Sequence, residues 1–241
     1  MDERTRFYAT HLGVAALLIL SALWLGHVTD WDFQLAGLAF DPAAHGFPLG
    51  GHWFVEGVMH EYGKRVGRLL AALFALAFFA SWWWRPLRPW RLQLLYLLLA
   101  MATGPTVVGD LKHLSNVYCP SQLYQFGGNH PFQQPFAVVA GTDSGSCWPA
   151  GHASYGFALL PVYFALRDRA PRYARFALWV AIVWGNVLGW GRVLQGAHFP
   201  SHQLWSWAIC WLAALGWYVV VLRRDLLPWP RRRAEAALAP E

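Results

Sequence analysis

The sequence predicts an all-α protein: a polytopic membrane protein of six transmembrane helices, built as a single membrane domain over residues 1–241. Three observations predict it. Only 13% of the 241 side chains are charged, against about 25% in ordinary soluble domains. Hydrophobic side chains make up 56%, and the mean hydropathy is +0.29. The 16 Trp residues suit aromatic belts at two membrane–water interfaces. This composition excludes a soluble globular enzyme, a disordered chain and a coiled coil.

Each element follows from an apolar run measured against the roughly 20 residues needed to cross the hydrocarbon layer. The first, Tyr8–Gly26, follows Arg4 and Arg6 and has no small-residue cleavage site, so it reads as a retained helix rather than a signal peptide. Trp31–His60 is only moderately apolar and, with Asp30, Asp32, Asp41, Glu56 and Glu61, marks the first outer loop. It is expected to form an interfacial helix lying on the membrane. Val66–Trp84 and Leu92–Gly109 are the second and third spans. Next comes a long segment, 110–152, rich in Gly, Pro, Asn and Gln. A loop this long in a compact protein is usually functional or disordered. Ala153–Leu166 and Phe176–Trp190 are short for spans and are expected to recruit flanking residues; Leu204–Leu222 is the sixth. An Arg-rich tail, 223–241, follows, and there is no internal repeat.

The formal charge of +6 comes from 19 basic and 13 acidic residues, and the sequence pI is near 9.5. The cations sit in short runs between apolar segments, which is a signal of topology and not of nucleic-acid binding. With the N-terminus inside, 14 of the 19 basic residues fall on the inner side. That predicts cytoplasmic termini and an outward-facing loop 110–152. Lys64, Arg65, Arg68, Lys112 and Arg192 are the five left outside.

Three polar segments lie at the outer ends of predicted spans. They are Lys112 to Pro120, Cys147 to Ser154, and Gly191 to His202. Pro149 suits a first helical position, which would leave the N–H groups of Ala150, Gly151 and His152 facing an anion. Pro200 is expected to open the sixth span, with His198 just before it and His202 in its first turn. Lys112 and Arg192 supply the charge and fork geometry that phosphate oxygens favour. Each feature has an ordinary reading: a snorkelling lysine, a structural interfacial histidine, a loop-to-helix turn. Ionisable groups at the bilayer boundary are expensive unless paired or used, so their shared order and face argue for function.

The three segments resemble the signatures of the type 2 phosphatidic acid phosphatase superfamily, which also contains the vanadium haloperoxidases: K-x6-R-P, P-S-G-H and S-R-x5-H-x3-D. Lys112 is followed after six residues by Cys119-Pro120; Pro149-Ala150-Gly151-His152 matches the second; Arg192, His198 and His202 fall at the spacing of the third. The resemblance runs from about Val66 to Leu222. Four positions depart from it: Cys119 stands in place of Arg, Ala150 and Gly191 in place of Ser, and His202 in place of Asp.

The resemblance implies a bacterial cytoplasmic-membrane phosphatase acting on a lipid phosphate or diphosphate at the periplasmic or exterior face. Candidate substrates include undecaprenyl diphosphate, phosphatidic acid, phosphatidylglycerol phosphate and the 1-phosphate of lipid A. His198 would be the nucleophile, forming a phosphohistidine, and His152 the general acid. Lys112, Arg192 and the Gly151 N–H would hold phosphate, with no metal or other cofactor. His202 would replace the family Asp in orienting the nucleophile, unless Asp110 or Asp143 supplies a carboxylate. Because the first two motifs converge on one phosphate in this family, Cys119 and Cys147 are expected to pair as a disulfide, leaving Cys210 reduced. Three alternatives stay open. One is phosphate transfer to a second lipid at the same site. Another is a non-catalytic lipid-phosphate binder or transporter. The third is a metal hydrolase using His198, His202 and either His152 or His113, although Lys112 and Arg192 would repel the cation.

Overall fold

The computed structural model describes residues 1–136 and 145–226, and these form helices joined by loops with no strand among them. α1 (Glu3–Leu23) is capped by the Asp2 carboxylate, which accepts from the Thr5 N–H at 2.6 Å. α2 is short (Trp31–Gly37). A π-helical run, Phe54–Tyr62, passes directly into α3 (Gly63–Ala80). α4 spans Arg91–Leu114, α5 Gly151–Phe157, α6 Leu160–Leu166, α7 Pro171–Leu194 and α8 Pro200–Trp217.

Four helical stretches among the described residues are long and apolar enough to cross a membrane: Glu3–Val28, Arg85–Leu114, Pro171–Leu194 and Pro200–Leu222. The other two expected spans are helical but different in kind. α3 carries Lys64, Arg65 and Arg68 in its first two turns. The expected fourth span is broken into α5 and α6, seven residues each, with Pro161 in the first turn of the second. The expected interfacial helix over Trp31–His60 is also two pieces, α2 and the π-helical run, joined by turns. α4 continues five residues beyond Gly109, so Lys112 and His113 lie in its last turn. α8 opens at Pro200, four residues before Leu204, because proline is tolerated at a first helical position.

α8 runs through the middle of the bundle, with α1 and α4 against it, and α5 and α6 lie on α7. The inner core joins Tyr96, Phe157, Leu160, Phe164, Trp211 and Tyr218. Their polar tips find acceptors, as burial demands: Tyr96 Oη donates to the Ala214 carbonyl at 3.1 Å, Trp211 Nε1 to the His11 carbonyl at 2.9 Å and Tyr218 Oη to the Asp168 carboxylate at 2.5 Å. α5 crosses α7 at Gly156, where an added Cβ would sit 2.5 Å from the Gly185 backbone. The outer faces of α3 and α7 leave Leu69, Leu73, Leu76, Phe176, Trp179 and Val183 exposed, which suits contact with lipid.

A second, aromatic core caps the end of the bundle that carries the polar segments. Phe33, Phe40 and Phe47 of the first loop pack with Tyr118, Phe126, Phe132 and Phe199. This layer fixes both long loops over the start of α8.

Candidate active site

His198 sits in the turn between α7 and α8. Gly196, at φ +66°, makes the reversal possible, and a side chain there would also collide with the Phe47 ring. The Ala197 N–H donates to the Arg192 carbonyl at 2.9 Å, and the Gly196 carbonyl accepts from the Ser121 N–H at 2.8 Å. Pro200 holds Phe199 in extended geometry. The chain therefore enters α8 directly after His198, whose side chain is 2% exposed.

Asp32 anchors that entrance. Its carboxylate, 5% exposed, accepts from the Ser201 N–H at 2.9 Å and from the Ser201 hydroxyl. It thus satisfies one of the unpaired N–H groups of the α8 N-terminus from another element. Burial pushes the Asp32 carboxyl pKa up, and the two Ser201 bonds oppose that shift. Sequence reasoning gave Asp32 no such role; its one signal was an acid on the same helical face as Ala36, which is also buried.

The second segment is held against α8 by backbone. The Ala150 N–H donates to the His202 carbonyl at 3.2 Å, and the Ser206 hydroxyl donates to the Ala150 carbonyl at 2.9 Å. Ala150 is the N-cap of α5 and Gly151 its first residue. Pro149 thus precedes the helix, contrary to the sequence expectation, and the Ala150 N–H is already used. Gly151 retains an N–H without a helical partner. A Cβ on Gly151 would lie 4.0 Å from Lys112 Nζ, so that ammonium faces the glycine. Lys112 forms no ion pair among the described residues. Ser115 ties the end of α4 to this segment, its hydroxyl donating to the Trp148 carbonyl at 2.7 Å.

Cys119 and Cys147 are joined in a disulfide with Cα atoms 5.1 Å apart, and Cys210 is a buried free thiol. The Cys147 sulfur lies 3.6 Å from His198 Nδ1. His202 Nδ1 is 3.1 Å from the Cys147 carbonyl, to which it donates, and its ring centroid is 5.8 Å from that of His198. Among the described residues, His198 Nδ1 thus meets a disulfide sulfur, while His202 Nδ1 is committed to the Cys147 carbonyl. Asp110 is exposed on α4, and Asp143 lies outside the described residues. Burial pushes the His198 pKa well below its ordinary value, and His202, Lys112, Arg192 and His152 push it further the same way. Burial thus favours the neutral imidazole over its cation.

Arg192 is held from one side. Its Nη1 donates to Gln195 Oε1 at 2.7 Å and to Glu56 Oε2 at 3.3 Å, while its buried Nε has no partner. Gln195 Nε2 bridges back to Glu56 Oε2 at 2.8 Å. Lys112, Arg192, Glu56 and Gln195 line an open, polar cleft of about 510 Å³ that reaches Cys119 and Ala197, the residue that precedes His198 in the chain. The one compact cluster of metal-binding side chains among the described residues is Cys147, His198 and His202. With the sulfur committed to the disulfide, two imidazoles remain beside two cations, a poor donor set for a divalent ion.

The sequence and the fold place this chain in a known group. Residues 93–226 match the PAP2 superfamily, and the chain belongs to it. It is 25% identical over 196 residues to the lipid A 4′-phosphatase of Francisella tularensis subsp. novicida (strain U112), covering 80% of this chain and 87% of that protein. Its fold is similar to the crystal structure of a transmembrane PAP2-type phosphatidylglycerolphosphate phosphatase from Bacillus subtilis. The TM-score is 0.50 at 19% identity, with 96% of this chain and 100% of the other covered.

Proposed function

We propose that this protein is a metal-independent lipid phosphatase that hydrolyses a phosphate monoester on the sugar head of a membrane lipid through a phosphohistidine on His198. The observation that carries this reading is convergence: Lys112, His152, Arg192 and His202, from all three polar segments, bear on one buried imidazole. The sugar phosphate is suggested by the lipid A 4′-phosphatase relative.

In the proposed mechanism the substrate phosphate enters the cleft and binds Lys112 Nζ, the free Nε edge of Arg192 and the Gly151 N–H. These donors offset charge on the phosphoryl oxygens as it redistributes in the transition state. His198 Nε2 attacks phosphorus while His152 protonates the leaving sugar oxygen. His152, now neutral, then takes a proton from water as the water oxygen attacks the phosphohistidine. That step releases phosphate and restores His198. The cleft faces the periplasm or cell exterior of a bacterial cytoplasmic membrane, the termini are cytoplasmic, and α3 and the α5–α6 pair complete six crossings.

Phosphate release from a panel of purified lipid phosphates, with and without EDTA, tests the reading. Wild type is expected to release phosphate in both conditions and His198→Ala in neither. Loss of activity in EDTA, or release by His198→Ala, would contradict it. Labelling of a cysteine introduced at Asn129 from the cytoplasmic side alone would overturn the sidedness.

A further inference from the structure

The cleft holds a carboxylate where an anion is to bind. Glu56 reaches Arg192 because the π-helical run packs on the outer end of α7 at Gly191, where an added Cβ would lie 2.9 Å from Met59 Cε. Orienting Arg192 does not by itself require a negative charge, because the neutral Gln195 amide already accepts from Nη1 at 2.7 Å. Gln195 is itself fixed by donating to the Gly50 carbonyl at 3.2 Å as well as to Glu56. Glu56 therefore adds charge that weakens phosphate binding, and it does so within a cleft whose cations among the described residues are Lys112 and Arg192. Such an arrangement tolerates one phosphate and penalises a second, while a carboxylate oxygen at the cleft is a strong acceptor for a hydroxyl.

Resting on the phosphatase reading above, we infer that Glu56 sets substrate choice: it accepts a hydroxyl of the phosphorylated sugar and turns away lipid diphosphates. The device is repulsive as well as attractive, as specificity often requires. A phosphate on the Nε edge of Arg192 lies roughly 6–8 Å from the Glu56 carboxylate, by the width of a guanidinium fork and two hydrogen bonds. One further negative charge at that range, in a half-exposed setting, changes relative binding by roughly tenfold.

The test compares kcat/KM of the full-length protein in nanodiscs on two lipids: a lipid A carrying only its 4′-phosphate, and undecaprenyl diphosphate. Wild type is expected to prefer the monoester. Glu56→Gln keeps the shape and should shift the ratio roughly tenfold toward the diphosphate, and Glu56→Asp should retain the wild-type preference. A ratio unchanged within about twofold in Glu56→Gln, or a wild type that prefers the diphosphate, overturns the inference while leaving a working phosphatase. No release from either lipid overturns the phosphatase reading and the selection with it. Inhibition of wild type by inorganic phosphate against pyrophosphate decides the matter even if the variants misfold: tighter inhibition by pyrophosphate is the contrary result.

Discussion

Opening the Cys119–Cys147 bridge should cost both stability and catalysis, by separable amounts. The two residues are 28 apart in sequence, and the chain-entropy model gives about 3.5 kcal/mol for closing a loop of that length. At about 2–4 °C per kcal/mol for a chain of this size, the double variant Cys119→Ser/Cys147→Ser should melt roughly 7–14 °C lower in nanodiscs. The catalytic cost has a different origin. The Cys147 sulfur is 3.6 Å from His198 Nδ1, and the bridge ties the segment before Pro120 to the segment before α5. Without it, His198 Nδ1 loses its contact and the proposed phosphate-binding groups lose their mutual spacing. A drop in kcat of about tenfold, measured well below the melting range, is expected from misplacement of this kind. Mass measurement after alkylation of the unfolded, unreduced protein should find one reactive thiol, Cys210. Three reactive thiols, or a double variant with unchanged melting and unchanged kcat, would refute the reasoning.

Other substitutions separate the remaining parts. Asp32→Ala leaves the Ser201 N–H and hydroxyl without their acceptor in a buried site and should cost about 1–3 kcal/mol, lowering kcat more than it changes KM; Asp32→Asn, which can still accept from the N–H, should recover most of both. Arg192→Lys removes the fork that Gln195 and Glu56 hold and should raise KM and lower kcat/KM by at least about tenfold in a phosphate-release assay. Because the His198 pKa is depressed, its neutral form persists well below the ordinary histidine range of about 6.5, so its protonation should not reduce kcat/KM near that pH; an acid limb assigned to His198 near pH 6.5 would contradict the burial argument. The same depression has a stability sign: the unfolded chain takes up a proton at His198 below about pH 6.5 that the folded chain refuses. This contribution is therefore present above that pH and fades as pH falls below it.

Much of the membrane architecture was legible because apolar runs need no tertiary information. Low charge and long hydrophobic segments located the helices to within a few residues, and four of them reach spanning length and hydropathy. Their exact ends were harder. α4 outlasts its apolar run because the helix continues through Lys112 and His113 at the polar boundary, where hydropathy carries no signal. The break between α5 and α6 was missed although Pro161 lies just beyond it. In the candidate site, residue type and spacing singled out Lys112, Gly151, His152, Arg192, His198 and His202 as candidates, because titratable and cationic side chains stand out in an apolar chain. Asp32 and Glu56 could not be singled out the same way. Each lies between α1 and α3, more than 100 residues from its partner Ser201 or Arg192, and the contact is made where an aromatic layer and Met59 fold that segment back onto α7 and α8. His202 lies in the first turn of α8, as expected from Pro200, but its Nδ1 turns to the Cys147 carbonyl, a direction set by backbone that sequence does not reveal.

The most direct test of the proposed chemistry is to trap the intermediate. Wild-type protein mixed with ³²P-labelled lipid phosphate, quenched in alkali within a turnover and digested, should yield one labelled peptide that carries phosphohistidine at His198, with the label stable to alkali and lost in acid. His198→Ala should give none. Label on His202 or on another residue, or catalytic turnover without any trapped label, would contradict the assignment of His198 as the nucleophile.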